Sequence, residues 1–268
     1  MNVLLRCMAM ALLIATGAAA GVLAAELGPT LAPGSMSTIT FPEMPPTFAD
    51  LLDHNAIRPR MTVFLPGNYD PSRKHPLLIF LEGGTGGTGG SAGVARKLSE
   101  EKDFVCVGLP LFKEKVDPPA PGNGLARILI RNPDCKFAWP LYQKMLAKLE
   151  ELVPNIDPAR RILGGFSNGA HATSGVIDES EGEVARRFSA FFFVEGGGKL
   201  ERYDLLRGKP FLMVYGSEKS RRRAQEIYDE AKAAGAKATL HEMNNVGHDF
   251  PESEFPAVRA WLRGPAME

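Results

Sequence analysis

The stretch Gly165-Phe166-Ser167-Asn168-Gly169 decides the fold of this chain. The apolar residues Ile162 and Leu163 precede it, and residues 170–177 continue in a pattern compatible with a helix. The order of strand, sharp turn and helix lifts a serine hydroxyl above the edge of a sheet, which is the geometry of a nucleophile elbow. A Cβ at either glycine would collide with the neighbouring strand or helix. The sequence therefore predicts that Ser167 is an activated nucleophile at the end of a β-strand.

Apolar runs alternate with helix-compatible segments on both sides of this stretch. Strands are predicted at residues 61–65, 77–81, 104–109, 161–163, 188–194, 211–215 and 238–241, and helices at 92–101, 139–152, 170–177, 222–234 and 255–262. A Pro/Gly-rich connection is predicted over residues 110–137. The alternation predicts an α/β fold with a mostly parallel central sheet and helices on both faces. Ligands of such sheets bind beyond the carboxyl ends of the strands.

A serine hydroxyl needs an adjacent base to become a nucleophile at neutral pH. Of the five histidines, His248 follows the last predicted strand, which is where the base belongs in a triad of chain order Ser, acid, His. Attack on a carbonyl also requires fixed N–H donors for the developing oxyanion. We expect these donors from Asn168, the residue after the nucleophile, and from Gly84, in the glycine-rich loop after the strand at 77–81.

The same loop contains a G-x-G-x-x-G pattern formed by Gly84, Gly86 and Gly89. This pattern also occurs in dinucleotide-binding folds, where it follows the first strand. Here two strand-like segments precede the loop, and no acidic residue closes the strand at 104–109. We therefore expect no nucleotide cofactor.

The N-terminus reads as a secretory signal peptide. Arg6 supplies the positive charge, residues 8–20 form an apolar stretch, and small residues precede the predicted cleavage points after Ala20 or Ala25. The stretch is short for a bilayer span and interrupted by glycine and alanine, so we expect cleavage rather than a retained anchor. Residues 1–25 thus predict export, to the periplasm or out of the cell, with no membrane association after cleavage.

Composition bounds the rest of the chain. Lys plus Arg and Asp plus Glu each number 31, so no net field recruits nucleic acid or an anionic membrane. Residues 26–59 begin with a Pro-, Ser- and Thr-rich segment and are predicted to be an N-terminal arm, whereas residues 60–268 form one domain. The sequence leaves the oligomeric state open.

Cys106 and Cys135 remain once the leader is removed. Export would allow them to form a disulfide, whereas the position of Cys106 within a predicted strand suits a buried thiol. The sequence leaves both alternatives open. Two cysteines without clustered histidines do not make a structural zinc site, and we predict no metal.

The residues Asn155-Ile156-Asp157-Pro158-Ala159-Arg160-Arg161 lead into the elbow. Together with the elbow itself and Gly247-His248, they resemble secreted esterases of the α/β-hydrolase superfamily, in particular the polyhydroxybutyrate-depolymerase, feruloyl-esterase and dienelactone-hydrolase-like branches. The resemblance extends over residues 61–262. It implies the α/β-hydrolase fold and ester hydrolysis through an acyl-serine intermediate, without a metal or an organic cofactor.

The chain departs from this resemblance at the acid that orients the histidine. Relatives commonly have Gly-x-x-Asp after the strand at 211–215, but here Lys219 occupies the position of the aspartate. Glu218, one residue earlier, is the first candidate for the acid. Glu195, which ends the strand at 188–194, is the alternative acid, and the absence of any acid is the third possibility. A charge that follows four apolar residues needs a partner, which favours a role for Glu195.

The predicted function is that of an exported serine esterase with the catalytic residues Ser167, His248 and Glu218. Its substrate would be a small-molecule or polymer-derived ester, with an apolar or aromatic acyl group rather than a charged one. The alternative function is that of a catalytically silent binding or scaffold protein that keeps the fold but lacks a proper triad acid.

Overall fold

Alternation along a central strand divides the core of the protein into two apolar clusters. In the strand β3, His75–Leu81, the side chains of Leu77, Ile79 and Leu81 belong to one cluster, whereas Leu78 and Phe80 belong to the other. Successive side chains of a strand point to opposite faces of the sheet, so this strand is buried on both faces. Such double burial requires helices on each side of the sheet.

The computed structural model describes residues 31–41, 58–84, 86–87, 89–120, 124–130 and 132–268. In this part of the chain eight strands form one sheet. The remaining seven strands of that sheet are Met36–Thr40 (β1), Arg60–Phe64 (β2), Val105–Gly108 (β4), Ile156–Phe166 (β7), Ala190–Val194 (β8), Pro210–Tyr215 (β9) and Lys237–Glu242 (β10). The strands lie in the order β1-β2-β4-β3-β7-β8-β9-β10. Along this order, every two neighbouring strands from β4 to β10 are parallel, whereas β2 runs antiparallel to both of its neighbours.

Six α-helices flank the sheet in the described residues: Gly93–Leu98 (α1), Asn132–Leu152 (α2), Asn168–Glu179 (α3), Glu183–Arg187 (α4), Glu218–Ala233 (α5) and Phe255–Arg263 (α6). The helices α2, α3, α4 and α5 contribute buried side chains to the cluster on one face. The helices α1 and α6 contribute theirs to the cluster on the other face. No helix in the described part of the chain combines the length and apolarity that a bilayer crossing needs. The predicted mostly parallel sheet with helices on both faces is confirmed.

Part of the predicted N-terminal arm belongs to the sheet. The strand β1 pairs antiparallel with β2, from Met36 opposite Phe64 to Thr40 opposite Arg60. Ile39 and Phe41 are buried in the core. The domain therefore begins before residue 60, because this segment buries two apolar side chains despite its Ser- and Thr-rich composition. The predicted signal peptide, residues 1–25, lies outside the described residues.

The predicted connection at residues 110–137 contains regular structure. Strands β5 (Lys113–Ala120) and β6 (Gly124–Ile128) pair antiparallel with each other, apart from the main sheet. The helix α2 begins at Asn132, seven residues earlier than the predicted start at residue 139, and contains Pro140. The Pro and Gly content of this stretch concealed both features, because these residues usually mark breaks.

Cys106 and Cys135 lie on opposite faces of the sheet and are free thiols. Cys106, on β4, is fully buried in the cluster with α1 and α6, and Cys135, on α2, is fully buried in the other cluster. Burial raises the pKa of each thiol to about 12. The structure thus favours two separate buried thiols over a disulfide.

The thiols of Cys106 and Cys135 should resist alkylation in the native protein, because they are buried and protonated at neutral pH. We expect a short iodoacetamide pulse to leave both unmodified without denaturant and to modify both in guanidinium chloride. Mass spectrometry of the tryptic peptides measures the extent. A disulfide-linked peptide pair, or equal modification in both conditions, would contradict the structure.

The turn between β7 and α3 depends on the close approach of two backbones. A Cβ added to Gly169 would lie 1.8 Å from the carbonyl oxygen of Leu81, and one added to Gly165 would lie 2.4 Å from the carbonyl carbon of Gly169. Both distances are far inside van der Waals contact. These glycines let the first turn of α3 pack directly on the ends of β3 and β7.

Substitution of Gly169 by alanine should therefore destabilise the protein, although alanine is the better helix former. We expect the free energy of unfolding to fall by about 1–3 kcal/mol in a urea titration, because backbone atoms must move to admit the methyl group. Gly67→Ala is the matched control, since its Cβ would come no closer than 4.0 Å to a neighbour, the Glu101 carbonyl oxygen. It should change stability by less than about 0.5 kcal/mol. Equal losses in the two variants would contradict the steric argument.

Candidate active site

Ser167 occupies a strained backbone conformation between β7 and α3. Its φ of 52° and ψ of −118° lie outside the regions that side-chain-bearing residues normally adopt. Such strain costs on the order of 1–3 kcal/mol and persists only when the surroundings fix it. Here the Ser167 N–H donates to the Val194 carbonyl at 2.9 Å, and the His171 N–H donates to the Ser167 carbonyl at 3.1 Å. The sharp turn that the sequence predicted is therefore held at both peptide groups.

Two further glycines bring neighbouring strand ends against the serine. A Cβ on Gly83, after β3, would lie 3.1 Å from the Ser167 Cβ. A Cβ on Gly196, after β8, would lie 2.4 Å from the Ser167 carbonyl oxygen. The ends of β3, β7 and β8 thus converge on one residue, as expected at the carboxyl edge of a parallel sheet.

His248 reaches this serine from the loop after β10. Its Nε2 lies 2.8 Å from the Ser167 Oγ. The imidazole also packs near the Phe166 ring, with 5.4 Å between the ring centroids. The structure therefore brings together the two residues that the sequence singled out, at hydrogen-bond distance.

Glu195 contacts the other nitrogen of the same imidazole. Its Oε2 lies 3.0 Å from the His248 Nδ1. The carboxylate is fully buried, whereas just over half of the His248 side chain is exposed. Because Nδ1 must donate to the carboxylate, Nε2 is left free to accept the serine proton. Glu195 thereby fixes the tautomer in which the histidine can act as a base.

A dense set of donors holds the Glu195 carboxylate. Oε1 accepts hydrogen bonds from the Gly216 N–H, the Ser217 N–H at 2.8 Å and the Ser220 hydroxyl at 2.8 Å. Oε2 accepts from the Ser217 hydroxyl at 2.8 Å. Burial raises the pKa of Glu195, but these hydrogen bonds outweigh it and leave the pKa below its usual value. The carboxylate is therefore ionised at neutral pH.

The first candidate for the acid, Glu218, does not reach the histidine. It begins α5, and its side chain is 80% exposed with Oε2 3.4 Å from the Arg221 Nη1. The expectation that Glu218 orients the histidine is corrected, because Glu218 lies at the start of α5, where its side chain points into solvent. Of the two candidate acids, Glu195 is the one that the structure brings to His248. The sequence signal for it was a charge directly after a buried apolar strand.

Gly84 and Asn168, the two predicted oxyanion donors, lie beside the turn that carries Ser167. The Asn168 Nδ2 donates to the Gly84 carbonyl oxygen at 2.7 Å, which ties the glycine-rich loop to the elbow. Gly84 has a φ of +94°, a conformation that favours glycine. Asn168 is the first residue of α3, so its N–H has no acceptor within the helix. The assignment of their N–H groups as oxyanion donors stays a prediction.

An open cleft of about 750 Å³ adjoins His248 on the side of α5. Its lining comes from α3, from the ends of β8 and β9, from the first turns of α5 and from the loop that carries the histidine, namely His171, Glu195, Gly196, Gly216, Ser217, Glu218, Lys219, Ser220, Arg223, Val246, Gly247 and His248. Burial, and then the charge of Arg223, lowers the pKa of His171. The volume suits a small-molecule ligand.

Comparison with known proteins gives information on the fold. No family model matches the chain, and no curated protein matches it. Among solved structures it resembles a thermostable esterase, with a TM-score of 0.57 and 18% identity over 85% of this chain and 62% of that one. The chain thus spans less than two thirds of that esterase.

Two further solved structures match the chain over most of their own length. An esterase of Pyrobaculum calidifontis has a TM-score of 0.58 and 14% identity over 89% of this chain and 88% of that one. A carboxylesterase from Mesorhizobium loti has a TM-score of 0.52 and 18% identity over 77% and 95%. These likenesses agree with the eight-stranded, mostly parallel sheet described above. The chain has the α/β-hydrolase fold.

Proposed function

We propose that this protein is an exported serine hydrolase that cleaves a carboxylic ester through an acyl-serine intermediate. The observation that carries the proposal is one continuous path of hydrogen bonds. It runs from the Ser167 Oγ to the His248 Nε2 over 2.8 Å, and from the His248 Nδ1 to the Glu195 Oε2 over 3.0 Å. The esterases that share the fold support ester chemistry. Export rests on the sequence of residues 1–25.

In the proposed mechanism, Ser167 attacks the ester carbonyl while His248 removes the hydroxyl proton. The C–O bond to the alcohol then breaks, and the imidazolium returns its proton to the leaving oxygen. Water, activated by the same imidazole, hydrolyses the acyl-serine and releases the acid. Glu195 remains ionised throughout and stabilises the imidazolium that forms in each half of the reaction.

The tetrahedral intermediate places a negative charge on the former carbonyl oxygen. The N–H groups of Asn168 and Gly84 are the proposed donors to this oxyanion. Loss of one such donor typically lowers kcat by about 10²–10³-fold. The hydrogen bond from the Asn168 side chain to the Gly84 carbonyl supports this role, because it holds the loop beside the elbow.

The contact between Glu195 and His248 weakens the case for a silent scaffold. That alternative arose because Lys219 occupies the position where relatives carry the orienting aspartate. A carboxylate from the end of β8, rather than from the end of β9, meets the same nitrogen of the histidine. The departure at Lys219 therefore no longer argues against catalysis.

A fluorophosphonate probe should label the protein at Ser167. Such probes phosphonylate only a serine whose hydroxyl has been activated, so labelling should disappear in Ser167→Ala. It should persist in the control Ser189→Ala, which removes a serine hydroxyl that donates a hydrogen bond to the Arg161 carbonyl. In-gel fluorescence measures the labelling, and circular dichroism confirms that both variants fold. Well-folded wild-type protein that takes up no probe would refute the hydrolase proposal and favour the scaffold.

Glu195→Gln should lower kcat for 4-nitrophenyl acetate by about 10⁴-fold, the loss seen when a triad acid becomes its amide. The amide oxygen can keep the three hydrogen bonds at the Oε1 position. The amide nitrogen then replaces Oε2 and donates to the His248 Nδ1. The imidazole proton consequently moves to Nε2, where it faces the Ser167 hydroxyl instead of accepting its proton.

Glu218→Gln is the matched control for this experiment. It removes the same charge from a carboxylate that is exposed and contacts Arg221. We expect its kcat to stay within about twofold of the wild type, because exposed ion pairs contribute little. A large loss in Glu218→Gln together with a small loss in Glu195→Gln would reverse the assignment of the acid.

A further inference from the structure

The cleft beside His248 carries two basic side chains on one face of α5. Lys219 and Arg223 are four residues apart, so they lie one helical turn apart on the same side of the helix. Both line the cleft. Neither side chain makes a hydrogen bond or an ion pair with any residue in the described part of the chain. By contrast, the neighbouring Arg221 and Arg222 each pair with a glutamate.

These two positions are unfavourable for the helix itself. Like charges four residues apart destabilise a helix. Lys219 also lies in the first turn of α5, where the macrodipole disfavours a cation. Sequences break such local rules mainly at functional sites. An anion bound between the two side chains would relieve both costs.

The carboxylates of the cleft already have partners other than Lys219 and Arg223. The Glu195 carboxylate accepts hydrogen bonds from Gly216, Ser217, Ser220 and His248. The Glu218 carboxylate lies 3.4 Å from Arg221. Glu195 and Glu218 are the two carboxylates among the described residues that line the cleft. The charges of Lys219 and Arg223 are therefore uncompensated.

The cleft opens beside the proposed nucleophile. His248, which lines it, contacts the Ser167 Oγ at 2.8 Å. Gly196, which also lines it, packs against the Ser167 carbonyl. His171, from α3, also lines the cleft and follows Ser167 by about one helical turn. One end of an ester bound at Ser167 would thus extend towards Lys219 and Arg223.

We propose that the substrate is a carboxylic ester that also carries a free carboxylate, which Lys219 and Arg223 bind in this cleft. This inference rests on the proposed function and defines its substrate class. A guanidinium binds a carboxylate through two parallel hydrogen bonds, and the ammonium group of Lys219 adds a point charge. If the carboxylate belongs to the acyl group, the proposal also replaces the expectation of an uncharged acyl group stated in the sequence analysis.

The test compares an anionic ester with a neutral one of nearly the same shape. In the first pair, mono-4-nitrophenyl adipate carries a carboxylate in its acyl group, where 4-nitrophenyl hexanoate has a methyl group. In the second pair, 4-acetoxybenzoate carries a carboxylate in its leaving group, where 4-methylphenyl acetate has a methyl group. In Lys219→Gln/Arg223→Gln we expect kcat/KM for the anionic member of at least one pair to fall by about 10–100-fold, the loss typical of a hydrogen bond to a charged group. The neutral members should change by less than about threefold.

Arg222→Gln is the matched control, because it removes one cation from the same helix at a side chain that is 92% exposed and outside the cleft. It should alter neither member of a pair. The proposal is overturned if, in both pairs, the double variant loses no more activity on the anionic ester than on the neutral one. That result would leave the hydrolase proposal intact, provided that Ser167 still reacts with the fluorophosphonate.

A binding measurement separates the two proposals if the wild type hydrolyses none of these esters. Calorimetric titration of adipate, a plain dicarboxylate, into Ser167→Ala needs no catalysis. Binding that is lost on addition of Lys219→Gln and Arg223→Gln would support the anion site alone. The anion site would be overturned if adipate did not bind to Ser167→Ala, or if it bound equally well to Ser167→Ala and to the triple variant.

Discussion

A buried carboxylate is the constraint on which the rest of the site depends. Removal of an ionised group from water costs several kcal/mol unless other groups replace its hydration. Glu195 is fully buried at the end of β8, and the chain satisfies it with donors from the β9–α5 junction and from the loop after β10. One negative charge thus fixes the start of a helix, the end of a strand and the orientation of the imidazole.

The strained serine turn depends on the opposite kind of contact, close packing without side chains. Glycines on both sides of the turn, and at the ends of β3 and β8, let backbone atoms approach one another within van der Waals distance. This approach allows the Ser167 N–H and the Ser167 carbonyl each to form a backbone hydrogen bond. Ser167 is therefore positioned by its backbone, whereas the His248 imidazole is positioned by its side-chain partner Glu195.

The sequence allowed the prediction of those features that local pattern determines. The alternation of apolar strands and helices gave the architecture, and the elbow and the last loop identified Ser167 and His248. The choice between Glu218 and Glu195 could not be made locally, because it depends on which strand end faces a loop 53 residues away in the chain. The strand β1 and the β5–β6 pair were missed because they lie in segments whose Pro, Gly and Ser content is typical of loops.

The distance along the chain between Ser167 and His248 also has a consequence for the order of events in folding. Ser167 and His248 are 81 residues apart, and they meet only when β8, β9 and β10 have all paired beside β7. Contacts of such long range form late in folding, after the entropy of closing long loops has been overcome. An unfolded chain therefore carries a serine without its imidazole partner, and the contact between Ser167 and His248 arises only once folding is completed.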